Sequence, residues 1–124
     1  MPRVLILEDD APLRNVIAEY LQARGYAVHI SEGIEDALQH IATRTVEVAV
    51  IDLFLPGGDG LDVIEQAKIA VPETKLVAIS GGSKIQSDVC LRCARQVGAD
   101  ASLTKPFSLF ELEIAIESLI RSSD

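Results

Sequence analysis

The sequence predicts an α/β domain built on a doubly wound, five-stranded parallel sheet. Three observations lead there. Short apolar runs, Val46 to Ile51 above all, have the composition of strands covered on both faces. Between them, apolar residues recur at the spacing of amphipathic helices. Strand-like and helix-like segments alternate five times, without an internal linker, repeat or low-complexity stretch. Right-handed crossovers then favour helices on both sides of a parallel sheet.

Each element has its own justification. Arg3 to Leu7 is a short β-branched strand that ends on Glu8, Asp9 and Asp10. Leu13, Val16, Ile17, Tyr20 and Leu21 next share one helical face; Asp10 suits the cap, Pro12 the first turn and Gly25 the stop. Tyr26 to Ile30 is the second strand, and Ile34, Ala37, Leu38 and Ile41 mark the second helix. Val46 to Ile51 is the third strand and the most apolar. Beyond a glycine-rich loop, Leu61, Ile64, Ala67 and Lys68 predict a helix that Pro72 ends. Lys75 to Ile79 is the fourth strand, Ile85 to Val97 the fourth helix with Gly98 just past it, and Ala101 to Thr104 the fifth strand. Ser108-Leu109-Phe110-Glu111 is a capping box that opens the last helix, whose core face is Leu109, Leu112, Ile116 and Leu119. Phe110 and Ile114 lie off that stripe and are expected to be partly exposed, where they could serve a partner.

Composition narrows the function. The length of 124 residues fits one domain with a single well-filled core. Hydrophobic residues make up 48% and aromatics only 4%, so the core must be Val, Ile, Leu and Ala. A net charge of −8 argues against a nucleic-acid ligand, which needs clustered Lys and Arg. No apolar run approaches the ~18 residues of a membrane helix, and acids stand where a signal peptide would be basic. The expectation is a cytoplasmic domain over residues 1–124 that contacts no membrane and has no output domain.

Cys90 and Cys93 form a CxxC that could be a redox pair or half a zinc site. They fall mid-helix, where no helix N-terminus would stabilise a thiolate, and no second Cys/His pair follows. They are read as two small, half-buried residues. His29 and His40 have no acid or cysteine at ligand spacing and receive no role.

In sheets of this kind functional groups gather beyond the carboxyl ends of the strands. Those ends carry Glu8-Asp9-Asp10, Ser31, Asp52, Ser80-Gly81-Gly82 and Thr104-Lys105-Pro106. If strands one and three are neighbours, Glu8, Asp9 and Asp52 converge. Two carboxylates about 4 Å apart repel by roughly 4 kcal/mol at an effective dielectric near 20. Three therefore call for a divalent cation, and an all-oxygen set suits Mg²⁺. Lys105 adds a positive charge and Ser80 a hydroxyl. Together these groups describe phosphoryl transfer onto an aspartate.

The segments "VLILEDDAPLR", "VAVIDLFLPGGDGLDVI", "LVAISGG" and "GADASLTKPFSLFEL" give the chain a resemblance to a known family. From Val4 to about Arg121 it is similar to the receiver domain of response regulators in two-component signalling. The resemblance implies a (βα)5, flavodoxin/CheY-like fold with strand order 2-1-3-4-5. It implies that Asp52 is the phosphoacceptor, that Asp9 and Asp52 ligate Mg²⁺ directly, that Glu8 acts through water and that Phe54 offers its backbone carbonyl. Asp10 suits a helix cap better than a ligand. Ser80 is similar to the family's switch hydroxyl. Lys105 resembles its invariant lysine, which is followed by a proline that is usually cis.

Three positions depart from the pattern. Ser102 stands where Tyr or Phe is common, the segment after Ser80 is longer than usual, and Phe54 is bulky and apolar where polar residues are frequent. With no aromatic at Ser102, activation is expected to move residues 81–87.

The predicted function is a phosphoacceptor that is not an enzyme in its own right. Its partners would be a sensor histidine kinase or histidine phosphotransfer protein and a downstream target protein. The competing readings are an aspartate-nucleophile phosphatase of the haloacid-dehalogenase type and a phosphorylation-independent binding module. The first of these is disfavoured because such enzymes place the nucleophile after strand one with a second acid two residues on, whereas Glu8 and Asp9 are adjacent.

Overall fold

The computed structural model describes residues 1–55, 57–81 and 84–122, with the side chains at 84 and 85 left aside. In chain order it contains β1 (Arg3–Leu7), α1 (Ala11–Ala23), β2 (Ala27–Ile30), α2 (Ile34–Thr43), β3 (Val48–Asp52), β4 (Phe54–Leu55), β5 (Gly58–Asp59), α3 (Gly60–Ala70), β6 (Lys75–Ser80), α4 (Lys84–Val97), β7 (Ala101–Thr104) and α5 (Leu109–Ser122). Five strands pair in parallel in the order β2-β1-β3-β6-β7. With the small β4–β5 ribbon set aside, this is the predicted order 2-1-3-4-5.

Strand alternation divides the core into two layers. Val4, Ile6, Val48, Val50, Val77 and Ile79 pack against Ile17 and Leu21 of α1 and Leu112 and Ile116 of α5. The intervening residues Leu5, Leu7, Ala49, Ile51, Leu76 and Ala78 pack against Ala37 and Ile41 of α2, Val63 and Ile64 of α3, and Leu91 and Ala94 of α4. This is the period-two consequence of a pleated strand covered on both sides. Every residue of β3 is buried, whereas every residue of the edge strand β2 is only half-buried.

The predicted helix signals operate as read. Asp10 accepts the Leu13 amide at 3.3 Å, and Gly25, at φ +98°, ends the first helical unit in a left-handed turn that favours glycine. Ser108 and Glu111 exchange the two reciprocal bonds of a capping box, at 3.0 and 3.3 Å. Lys68, placed on the α3 core face, carries its ammonium to the Thr74 carbonyl and the Asp100 carboxylate. Between α1 and α5, Arg24 and the Tyr20 phenol both donate to Glu113 at 2.8 Å, and they hold its carboxyl below the usual range. Phe110 and Ile114 are exposed as expected, and Cys90 and Cys93 are free and half-buried.

Some expectations are corrected. Val16 is exposed, because the buried arc of α1 centres on Ile17 and Leu21 and Val16 lies a full 100° step to its outer side. The second and third strands begin at Ala27 and Val48, later than the apolar runs suggest. The glycine loop contains a two-residue antiparallel ribbon, Phe54–Leu55 with Gly58–Asp59. His29 does have an acidic partner: Asp36 Oδ2 lies 3.0 Å from its Nε2, across the turn from β2 into α2. Among the described residues no helix is long and apolar enough to cross a membrane.

Candidate functional site: an acidic rim

Strand parity assembles the site. Val4 and Ile6 face the α1–α5 layer, so Glu8, two residues on, leaves β1 on that side. Val48 and Val50 do the same for Asp52, and Ala101 and Leu103 for Lys105. Because β1 pairs with β3, the first two meet, and Lys105 closes over both. Its ammonium lies 2.6 Å from Glu8 Oε1 and 3.3 Å from Asp52 Oδ2. Glu8 and Asp52 are 2% and 3% exposed, which makes this ammonium their indispensable counter-charge.

Burial raises the Glu8 carboxyl above its ordinary range, and nearby Asp52 pushes the same way; Lys105 and the Asp10 amide work against the shift. For Lys105, burial opposes the charged form, but Glu8 and Asp52 together outweigh it and raise its pKa. Asp9 is exposed at the mouth. Carboxylate oxygens of Glu8, Asp9 and Asp52 all lie within 4.8 Å of one another. Three hard oxygen donors with no His or Cys among them fit a divalent cation such as Mg²⁺.

A cleft of about 360 Å³ opens over these groups, lined also by Asp10, Phe54, Gly81 and Gln86. Asp52 Oδ1 accepts the Phe54 amide at 3.0 Å, so the backbone after the strand turns back to hold the carboxylate. Phe54 itself is 42% exposed at the edge of the cleft. The predicted residues Glu8, Asp9, Asp52, Phe54 and Lys105 are thus brought together.

Ser80 is not turned toward them. It shares the parity of Leu76 and Ala78, on the α2–α4 side, is fully buried, and donates to the Gly81 carbonyl at 3.3 Å. Asp10 is the helix cap and stands outside the carboxylate trio. Ser31 is buried away from the cleft, and among the described residues its hydroxyl has no hydrogen-bond partner. Lys105-Pro106 is a cis bond. Gly82 and part of the 81–87 segment lie outside the described residues, while the Ser102 hydroxyl accepts from Arg95 of α4 at 2.9 Å. Gln86 was not singled out in the sequence, since its residue type announces no site, whereas Gly81 entered as part of the Ser80-Gly81-Gly82 strand end. Gly60 was missed as well: a Cβ there would come within 2.4 Å of the Asp52 carbonyl oxygen.

A profile of the response regulator receiver domain family matches residues 4–117. The transcriptional regulatory protein RprY of Bacteroides fragilis is 29% identical over 119 residues, 96% of this chain and 49% of that protein. The acid tolerance regulatory protein ActR of Rhizobium meliloti is 36% identical over 103 residues, 83% of this chain and 52% of that protein. The chain spans about half the length of these curated relatives. Among solved structures, a CheY-like response regulator receiver domain from Methanospirillum hungatei JF-1 superposes with a TM-score of 0.89 at 25% identity, covering 99% of this chain and 96% of that one.

Proposed function

Because the chain belongs to the response regulator receiver domain family of two-component signalling, we propose that Asp52 takes a phosphoryl group from a partner phosphohistidine. The donor is a sensor histidine kinase or a histidine phosphotransfer protein, and the phosphorylated domain signals to a target protein through an altered surface. One observation carries this reading: the Lys105 ammonium sits between Glu8 and Asp52 in a cleft where three carboxylates converge.

In the transfer, an Asp52 oxygen forms the new O–P bond as the donor's P–N bond breaks, and the electron pair of that bond stays on the imidazole nitrogen. The Phe54 amide and Lys105 hold the two Asp52 oxygens in place before the donor arrives. Lys105 also opposes the charge that grows on the transferring oxygens. Glu8, Asp9 and Asp52, with the Phe54 carbonyl, would hold Mg²⁺, which when bound supplies further charge neutralisation. The Ser80 hydroxyl reaches the phosphoryl group only by leaving the Gly81 carbonyl. Phosphorylation of Asp52 by a small donor, with Asp52→Asn as control, tests the whole assignment.

Two further results are expected. Millimolar Mg²⁺ should raise the melting temperature by linkage, and Asp9→Ala should remove that response while leaving the metal-free protein at least as stable. A wild-type melting curve indifferent to Mg²⁺ would contradict the metal assignment. The second concerns Phe54, whose ring borders the cleft and whose side chain offers no polar group to position a hydrolytic water. Phe54→Asn and Phe54→Glu should lose the phosphoryl group about tenfold faster, which corresponds to about 1.4 kcal/mol of restored positioning. Decay curves that coincide with the wild type, at equal Mg²⁺ affinity, mean that Phe54 does not shield the acyl phosphate.

A further inference from the structure

A second cleft, of about 290 Å³, lies between β1, β2 and the end of α2, and its titratable lining is entirely basic: Arg3, His29, His40 and Arg44. That is an unusual gathering in a chain of net charge −8. The His29 and His40 rings stack with centroids 3.8 Å apart and planes within 6° of parallel. Neither guanidinium makes an ion pair among the described residues. Val4, Ala27, Val28 and Val46 complete the lining with apolar surface.

We propose that this cleft is a binding site for a small tetrahedral oxyanion of the phosphate class, held by the two guanidiniums and the stacked imidazole pair. The site is independent of the reading of Asp52.

The charged groups around it come from every neighbouring element. Arg3 comes from β1, His29 from β2, Asp36 and His40 from α2, Arg44 from just past α2, and Glu47 from just before β3. Asp36 is engaged by His29 Nε2 at 3.0 Å and by the Glu32 amide at 3.2 Å; the Glu47 carboxylate accepts the Arg3 amide. Neither carboxylate lines the cleft. While both imidazoles are neutral, these two acids balance the two guanidiniums. Protonating a ring leaves a surplus positive charge facing a second imidazole at stacking distance, and an oxyanion removes that conflict. The carboxyl end of α2 contributes only about half a negative charge, too little to account for four basic side chains. Burial, followed by the charges of His29 and Arg44, already holds the His40 pKa below the ordinary histidine value. An anion would raise it again, so binding takes up a proton and tightens as pH falls.

The test is NMR of the histidine C2 protons during titration with sulfate and with pyrophosphate, in Mg²⁺-free buffer at about pH 6 and about pH 8. Sulfate keeps its charge over this range, so its pH dependence reports on the protein alone. Both histidine signals should shift saturably, with sulfate bound about fivefold more tightly at the lower pH for a one-unit coupling, whose limit at still lower pH is about tenfold. Arg3→Gln and Arg44→Gln, both at exposed positions, should each weaken binding about tenfold, whereas Asp52→Asn should leave it unchanged. Three results would overturn the proposal: shifts that stay linear with concentration, sulfate affinity independent of pH, or saturable binding that survives both arginine replacements.

Discussion

Asp52→Asn is expected to gain no phosphoryl group from acetyl phosphate and Mg²⁺, while the wild type gains one. The change is nearly isosteric, yet it removes both things the site needs at this position. An amide oxygen is a far weaker nucleophile than a carboxylate, and the amide also withdraws one of the three converging negative charges. The fold should survive. The Phe54 amide still finds an oxygen acceptor, and losing the Lys105 contact is offset by relief of the repulsion between Asp52 and Glu8. Intact-mass spectra decide the matter: equal labelling of the variant means that another side chain is the acceptor. A well-folded variant with no labelling supports the assignment, and circular dichroism on the same sample excludes unfolding as the cause.

Gly60→Ala should destabilise the domain by about 3 kcal/mol and lower its melting temperature by on the order of 10 °C. The added methyl would lie 2.4 Å from the Asp52 carbonyl oxygen and 2.6 Å from the Leu53 Cα, and both of these are backbone atoms. A crowded side chain can change rotamer; a crowded strand end cannot, so β3 and α3 have to separate. Because the atoms displaced belong to Asp52 and its neighbour, phosphorylation should slow as well, even well below the new melting temperature. Gly33→Ala is the control. Nothing lies within 4 Å of its added Cβ, so its cost should stay below about 1 kcal/mol, the scale of an altered helix cap. If the Gly60 variant melts within about 2 °C of wild type, the close approach of α3 to the strand end is readily relieved and does not anchor the site.

Much of the acidic rim could be read because it obeys a two-residue period. Glu8, Asp52 and Lys105 each continue the face of two apolar strand residues, so their convergence follows once β1 and β3 are neighbours. The same arithmetic, applied to Leu76, Ala78 and Ser80, turns that hydroxyl to the opposite face, which its place at a strand end and its likeness to the switch hydroxyl do not reveal. Other features leave no such trace. His29 and Asp36 are seven residues apart across a strand, a turn and a helix, so no single periodicity relates them. The β4–β5 ribbon is too short to show alternation. The half-buried state of β2 was also hidden, because Val28 and Ile30 have the composition of core strand residues and only pairing order marks their strand as an edge.

The contrast in burial between strands has a mechanical consequence for the rim. Asp52 is carried by β3, the central strand of the five and the one buried at every position, whose amides can open only when most of the domain opens. Lys105 follows β7, an edge strand that no residue fully buries, tied to α4 through Ser102 and Arg95. The proposed acceptor carboxylate is therefore mounted on the stiffest part of the molecule and its cation on a compliant one. Strain created at the rim by a new charge or a new bond would flow outward into β7 and α4, where displacement costs least, and would leave the central strand where it stands.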